Sequence, residues 1–277
     1  MKTRILSALV GIAIFIPVLW FSGTIAFPIV IALVSAIGAY EMCACVGVGK
    51  CPLFLVPIVA FAFLGPFLTW FFHSAVKYVA FLAMLAFAVF FLCMTIAVFR
   101  GGKDSFATIA EAMLGVVYIT VGFACIALLR RLSNGAYLYG LVFVGAWVTD
   151  TMAYFTGYFL GKHKLCPTIS PKKTVEGSIG GVVFCAGAFA LYGWIMQLAF
   201  GLTPNYGMLL IAGAVLSVIS QIGDLLASLI KREHGIKDYG KLMPGHGGVM
   251  DRFDSILAVA PFLFLLCAFA HAFALFT

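Results

Sequence analysis

The chain has 277 residues, 64% of them hydrophobic and 10% charged, with a mean hydropathy of +1.15. Soluble domains average about 45–50% apolar and about 25% charged residues, and a soluble fold of this length has no interior large enough to hide the excess. The composition therefore excludes a soluble enzyme, a disordered chain and a secreted disulfide scaffold, and it predicts an all-α polytopic membrane protein.

A spanning helix needs about 20 apolar residues. The charges cut the chain into stretches of that size, near 5–21, 24–41, 53–72, 77–99, 107–129, 136–160, 178–200, 206–230 and 255–275. That gives about nine transmembrane helices. The first two are separated only by Ser22-Gly23-Thr24, which predicts a tight helical hairpin. Lys2 and Arg4 before an apolar run imitate a signal peptide, but no small-x-small cleavage site follows, so an uncleaved first helix is expected.

Seventeen Lys and Arg stand against ten Asp and Glu, a net charge of +7. With the N-terminus in the cytoplasm, fourteen of these bases fall on the cytoplasmic side and three, Lys77, Arg130 and Arg131, on the other. Cytoplasmic loops collect Lys and Arg, so the surplus predicts orientation and calls for no nucleic-acid partner. The C-terminus then faces outward. The eight cysteines are scattered, without a CxxC pair or a zinc-like Cys/His set, and read as small apolar residues.

The halves differ. Residues 1–130 hold three acids, Glu41, Asp104 and Glu111, and read as packing and lipid-contact helices; seven of the ten acids lie between Asp150 and Asp254. The chemistry is therefore expected within 131–277, with cytoplasmic loops at 161–177 and 231–254.

Three segments carry it. Asp150 lies well inside the sixth predicted span, where an ionised carboxylate is costly unless paired or wet, and shares a broad helical face with Tyr154, Gly157, Tyr158 and Gly161. Gly157-xxx-Gly161 alone reads as close helix packing. The second segment, Ser170-Pro171-Lys172-Lys173-Thr174-Val175-Glu176-Gly177, places lysines and hydroxyls before a helix start. It reads either as an ordinary basic loop with Thr174 or Ser178 as N-cap or as a phosphate site, since a helix N-terminus favours anions; Walker A spacing is absent. In the third, Gln221, Asp224 and Ser228 share a helical face, followed by a charged, glycine-rich connection from Lys231 to Asp254. Asp224, Asp251 and Asp254 sit where helices meet the membrane surface. Carboxylates near basic groups suit Mg²⁺ shared with substrate phosphates; His246 lacks the His or Cys neighbours that zinc needs.

The pattern Ser228-x-Ile230-Lys231-Arg232-x4-Lys237-Asp238-x-Gly240-x3-Pro244-x-His246-Gly247-Gly248-x2-Asp251-Arg252-x-Asp254 resembles the signature of CDP-diacylglycerol synthases, or phosphatidate cytidylyltransferases. Met243 is a conservative departure from it. The stretches around Asp150 and from Ser170 to Gly177 resemble the same family, so the likeness covers about residues 140–260 in motif detail; over 1–130 it extends only to the pattern of apolar helices.

The resemblance implies that phosphatidate and CTP give CDP-diacylglycerol and pyrophosphate with Mg²⁺, in a homodimeric inner-membrane protein whose site faces the cytoplasm. It assigns Asp224 and Asp251 to Mg²⁺, with Asp254 or Asp150 as further or outer ligands and room for a second cation. Lys172, Lys173, Lys231 and Arg232 would neutralise phosphates, Ser170 and Thr174 add hydrogen bonds, and His246 donate to a phosphate or leaving group. Tyr154, Glu176, Ser228, Lys237, Asp238, Gly247, Gly248 and Arg252 complete the expected substrate-binding set. Rival readings are a CDP-archaeol synthase, a CTP-dependent polyprenol kinase, a secondary transporter and a structural scaffold. A transporter would show inverted repeats, and 1–130 does not correspond to 140–277; a scaffold leaves the clustered acids unexplained.

Overall fold

A computed structural model of the chain describes residues 11, 13, 15–102, 104–242, 245, 247–269, 275 and 276. Among these it is helical nearly throughout. After a helical stretch at 15–20 and a turn over 21–25 come α1 (Ala26–Val46), α2 (Pro52–Leu68), α3 (Ala75–Phe99) and α4 (Phe106–Arg130). Then follow α5 (Gly140–Leu160, preceded by the single turn Gly135–Leu138), strands β1 (Lys164–Cys166) and β2 (Ser170–Thr174), α6 (Val175–Phe200), α7 (Tyr206–Glu233) and α8 (Met250–Phe269).

Six of these are long and apolar enough to cross a membrane: α1, α3, α4, the stretch Gly135–Leu160, α6 and α7. The chain is thus a polytopic helical membrane protein, as its composition requires. The 17 residues of α2 fall short of the usual span length. The beginning of the first predicted span, with Lys2 and Arg4 before it, and the end of the ninth lie outside the described residues. One predicted loop, 161–177, is instead a small antiparallel hairpin, β1 against β2, pairing Lys164 with Thr174 and Cys166 with Ser170.

Helix boundaries follow local chemistry. Gly47 closes α1 at φ +95, a conformation that costs glycine nothing. Pro52 opens α2, where its missing N–H is not needed. Ser74 caps α3 by accepting from the Lys77 N–H.

The described residues fall into two compact units, those within Met1–Leu128 and Glu233–Phe253, and those within Leu129–Arg232 and Asp254–Thr277. In the first, α2 packs on α1 and α3. Helix α3 is apolar on every side and leaves Met84, Phe87, Phe91 and Phe99 exposed, as a helix bathed in lipid tails does. Helix α4 is the most enclosed, with Val116, Ile119, Phe123 and Ile126 fully buried. The buried Tyr78 hydroxyl donates to the Gly65 carbonyl (2.9 Å) near the C-terminal end of α2, where helical carbonyls run out of intrahelical partners. Tyr78→Phe is expected to destabilise the protein by about 1–3 kcal/mol, read as a lower Tm of the purified protein, with activity per folded molecule unchanged.

In the second unit α5 and α6 form the most extensive helix pair. Gly157 and Gly161 face Thr174, and the Gly177 Cα lies against Gly157. The small residues are therefore used for close helix approach. Across α7, Thr149 Oγ1 donates to Ser217 Oγ at 2.9 Å, both residues being buried.

Candidate active site

The second unit gathers charged residues that the sequence spreads over a hundred positions. Asp224, in the last third of α7, forms an ion pair with Lys173 of β2. Asp254, in the first turns of α8, is buried, and the charges of Asp224, Asp150 and Lys231 all bear on it. Its Oδ1 accepts from the Ser255 N–H (2.8 Å), while Ser255 Oγ donates to Asp150 Oδ2 (3.1 Å). Three carboxylates and two lysines thus converge from α5, β2, α7 and α8. Like-charged acids crowded in this way require cationic company.

The hairpin supplies part of it. Successive residues of a strand face opposite sides, and β2 accordingly separates the two adjacent lysines: Lys173 turns inward to Asp224, whereas Lys172 is exposed. Ser170 is half-buried at the far end of the strand. Thr174 closes the hairpin and caps α6, its Oγ1 accepting from the Gly177 N–H (3.2 Å). Glu176 accepts from the N–H groups of Lys162 (3.0 Å) and His163 (3.2 Å) and meets the His163 ring (2.6 Å). Its carboxylate thereby fixes the turn that leaves α5. Arg232 lies on α7 and donates from Nε to the Ile169 carbonyl at the hairpin tip (3.5 Å). Lys231, expected in a loop, is a buried residue of the same last turn, and Ser228 stands one turn before it. Tyr154 is 66% exposed and stacked with Tyr158 on α5.

The first unit holds the rest of the motif. Lys237 and Asp238 are exposed on the connection after α7, and Arg252 is exposed on the first turn of α8. Asp251 Oδ2 accepts from the backbone N–H groups of Tyr239 (2.8 Å) and Gly248 (3.0 Å). Gly247 adopts φ +84 beside the Asp251 carboxylate, a backbone conformation that a side chain would strain. His246 lies outside the described residues.

Two acids that sequence reasoning passed over make contacts with the residues that follow α7. Glu41, at the end of α1, is buried and accepts from the N–H groups of Val249 (3.0 Å) and Met250 (2.9 Å). Glu111 of α4 pairs with His234, just past α7, at 2.5 Å. Their signal was available: an acid inside or beside an apolar span needs a partner.

Carboxylate oxygens of this kind are the donors Mg²⁺ prefers. Among the described residues no three His, Cys, Asp or Glu side chains form a ready cage. Mg²⁺ commonly takes one or two protein carboxylates and completes its shell with water and phosphate, so Asp224 beside the buried Asp254 fits that ion.

The profile of the cytidylyltransferase family matches residues 2–270. The phosphatidate cytidylyltransferase of Bacillus subtilis is 35% identical over 279 residues, covering 97% of this chain and 98% of its own length. Those of Staphylococcus haemolyticus and Staphylococcus aureus are each 34% identical, covering 96% of this chain and 98% of their own. The chain belongs to the cytidylyltransferase family.

Proposed function

We propose that this enzyme transfers the cytidylyl group of CTP to phosphatidate, giving CDP-diacylglycerol and pyrophosphate for phospholipid synthesis. The observation that carries the reading is the convergence of Lys173, Asp224, Asp254, Asp150 and Lys231 from α5, β2, α7 and α8, in a chain whose relatives bear that activity in their names. A lipid and a soluble nucleotide must meet where apolar helices give way to polar connections, and Lys173 on the hairpin and Lys231 in the last turn of α7 stand there.

An oxygen of the phosphatidate phosphate attacks the α-phosphorus of CTP in line. A new P–O bond forms, the bond from the α-phosphorus to the bridging oxygen breaks, and pyrophosphate departs with that oxygen. The nucleophile is already an anion, so no strong base is required. The obstacle is repulsion between polyanions, and the protein's task is positioning and charge neutralisation. Lys173, Lys231, Arg232 and Lys172 neutralise phosphates; Ser170 and Thr174 add hydrogen bonds; His246 donates to a phosphate or the leaving group. Tyr154, Glu176, Ser228, Lys237, Asp238, Gly247, Gly248 and Arg252 shape substrate binding. Asp224, Asp251 and Asp254 are the residues assigned to hold Mg²⁺. When bound, Mg²⁺ neutralises and polarises phosphate oxygens.

The same reading places the protein in the inner membrane as a homodimer of nine-span chains, with the N-terminus and the site cytoplasmic and the C-terminus outside. Its test is pyrophosphate release by the purified protein in mixed micelles. Release should require phosphatidate, CTP and Mg²⁺ together, and ATP should not replace CTP. Release without lipid, or equal release with ATP, contradicts the proposal.

A further inference from the structure

We propose that Glu41 is a positioning residue for Asp251: its carboxylate, supplied by a helix more than 200 residues upstream, clamps the backbone that turns into the Asp251 helix. The first N–H groups of any helix lack intrahelical partners, and the positive end of the helix dipole favours an anion there. A nearby Ser, Thr, Asp or Asn normally fills that need. In α8 the N-cap position is Val249, whose side chain cannot cap. Glu41 takes over, one oxygen receiving the Val249 N–H and the other the Met250 N–H.

Two motif glycines are explained by the same carboxylate. A Cβ on either Gly240 or Gly248 would collide with Glu41 Oε1, and one on Gly240 would also crowd the Gly248 Cα. Neither glycine has a positive φ, so what they supply is room for the acid. Asp251 then ties the loop from the other side through the Tyr239 and Gly248 N–H groups. The backbone at Tyr239, Gly248, Val249 and Met250 is thus gripped by two carboxylates, of which only one is in the motif. A buried acid at the end of an apolar helix is costly, and holding this segment is what it does there.

The test uses the full-length protein in nanodiscs. Hydrogen exchange is read along the chain together with turnover of CTP and phosphatidate; only the turnover arm rests on the proposed function. Glu41→Gln should accelerate exchange at 239–251, leave α3 unchanged, and lower kcat about 10- to 100-fold, the usual effect of losing an outer positioning group. Should that variant not fold, Gly240→Ala displaces the carboxylate without removing its charge and serves for the same readings. Gly248→Ala alone should be severely impaired, whereas in a Glu41→Ala background it should add less than about twofold. Exchange accelerated equally in every helix, kcat within twofold of the wild type, or fully additive effects of Gly248→Ala and Glu41→Ala would overturn the proposal. An inactive wild type with the local exchange change intact would instead count against the proposed function and leave the clamp standing.

Discussion

Asp224→Asn should reduce turnover of the purified, monodisperse protein by about 10²-fold or more, the range found when one preorganised electrostatic group is removed from a catalytic site. The substitution keeps the side chain's shape and removes its charge. Asp224 is paired with Lys173, and its charge also bears on the buried Asp254. Neutralising it therefore leaves a half-buried lysine without its counter-charge, which is the expensive way to break such a pair. It also exchanges an anionic oxygen of the kind Mg²⁺ prefers for a neutral amide. Turnover within a few-fold of the wild type would show that Asp224 takes no part in the chemistry. A matching loss in Lys173→Met, with Lys172→Met milder, is expected because β2 turns only Lys173 toward the acid.

The second large effect is structural. Gly177 stands in the first turn of α6, where an added Cβ would lie 2.6 Å from the Ala153 carbonyl oxygen and 3.1 Å from the Gly157 Cα. Both neighbours are backbone, so relief requires α5 and α6 to move apart. Overpacking of this kind costs about 1–3 kcal/mol, and here it also tilts the hairpin that carries Lys173. Gly177→Ala should lower both Tm and activity. Gly187, in the same helix, has nothing within 4 Å of a Cβ, and Gly187→Ala should leave Tm unchanged or raise it, since alanine is the better helix former. Equal Tm values for the two variants would mean that α5 and α6 do not approach as described.

These contrasts mark what the sequence made legible. Span positions followed from length and hydropathy, and α3, α4 and α7 lie within a few residues of the predicted stretches at 77–99, 107–129 and 206–230. Thr174, one of two N-cap candidates beside Ser178, and Gly157-xxx-Gly161 as packing were readable because both are local. The hairpin was not: Lys164–Cys166 and Ser170–Thr174 are too short, too charged and too interrupted by proline to announce strands. Treating 161–177 as a loop hid the alternation that parts Lys172 from Lys173. Glu41 escaped notice because its partners are more than 200 residues away and are backbone N–H groups, which leave no side-chain pattern. Lys231 and Arg232 read as loop charges, yet they complete the last turn of α7, where cations suit the helix dipole.

The central claim is the transfer of cytidylyl to a lipid phosphate, and label tracking tests it most directly. Purified protein would be incubated with phosphatidate, Mg²⁺ and CTP carrying radioactive phosphorus at either the α or the γ position, and the lipid extracted. The account predicts α-label in the lipid, γ-label in released pyrophosphate, and equal amounts of the two. γ-Label in the lipid would identify a kinase, and no label from either position would contradict lipid cytidylylation altogether.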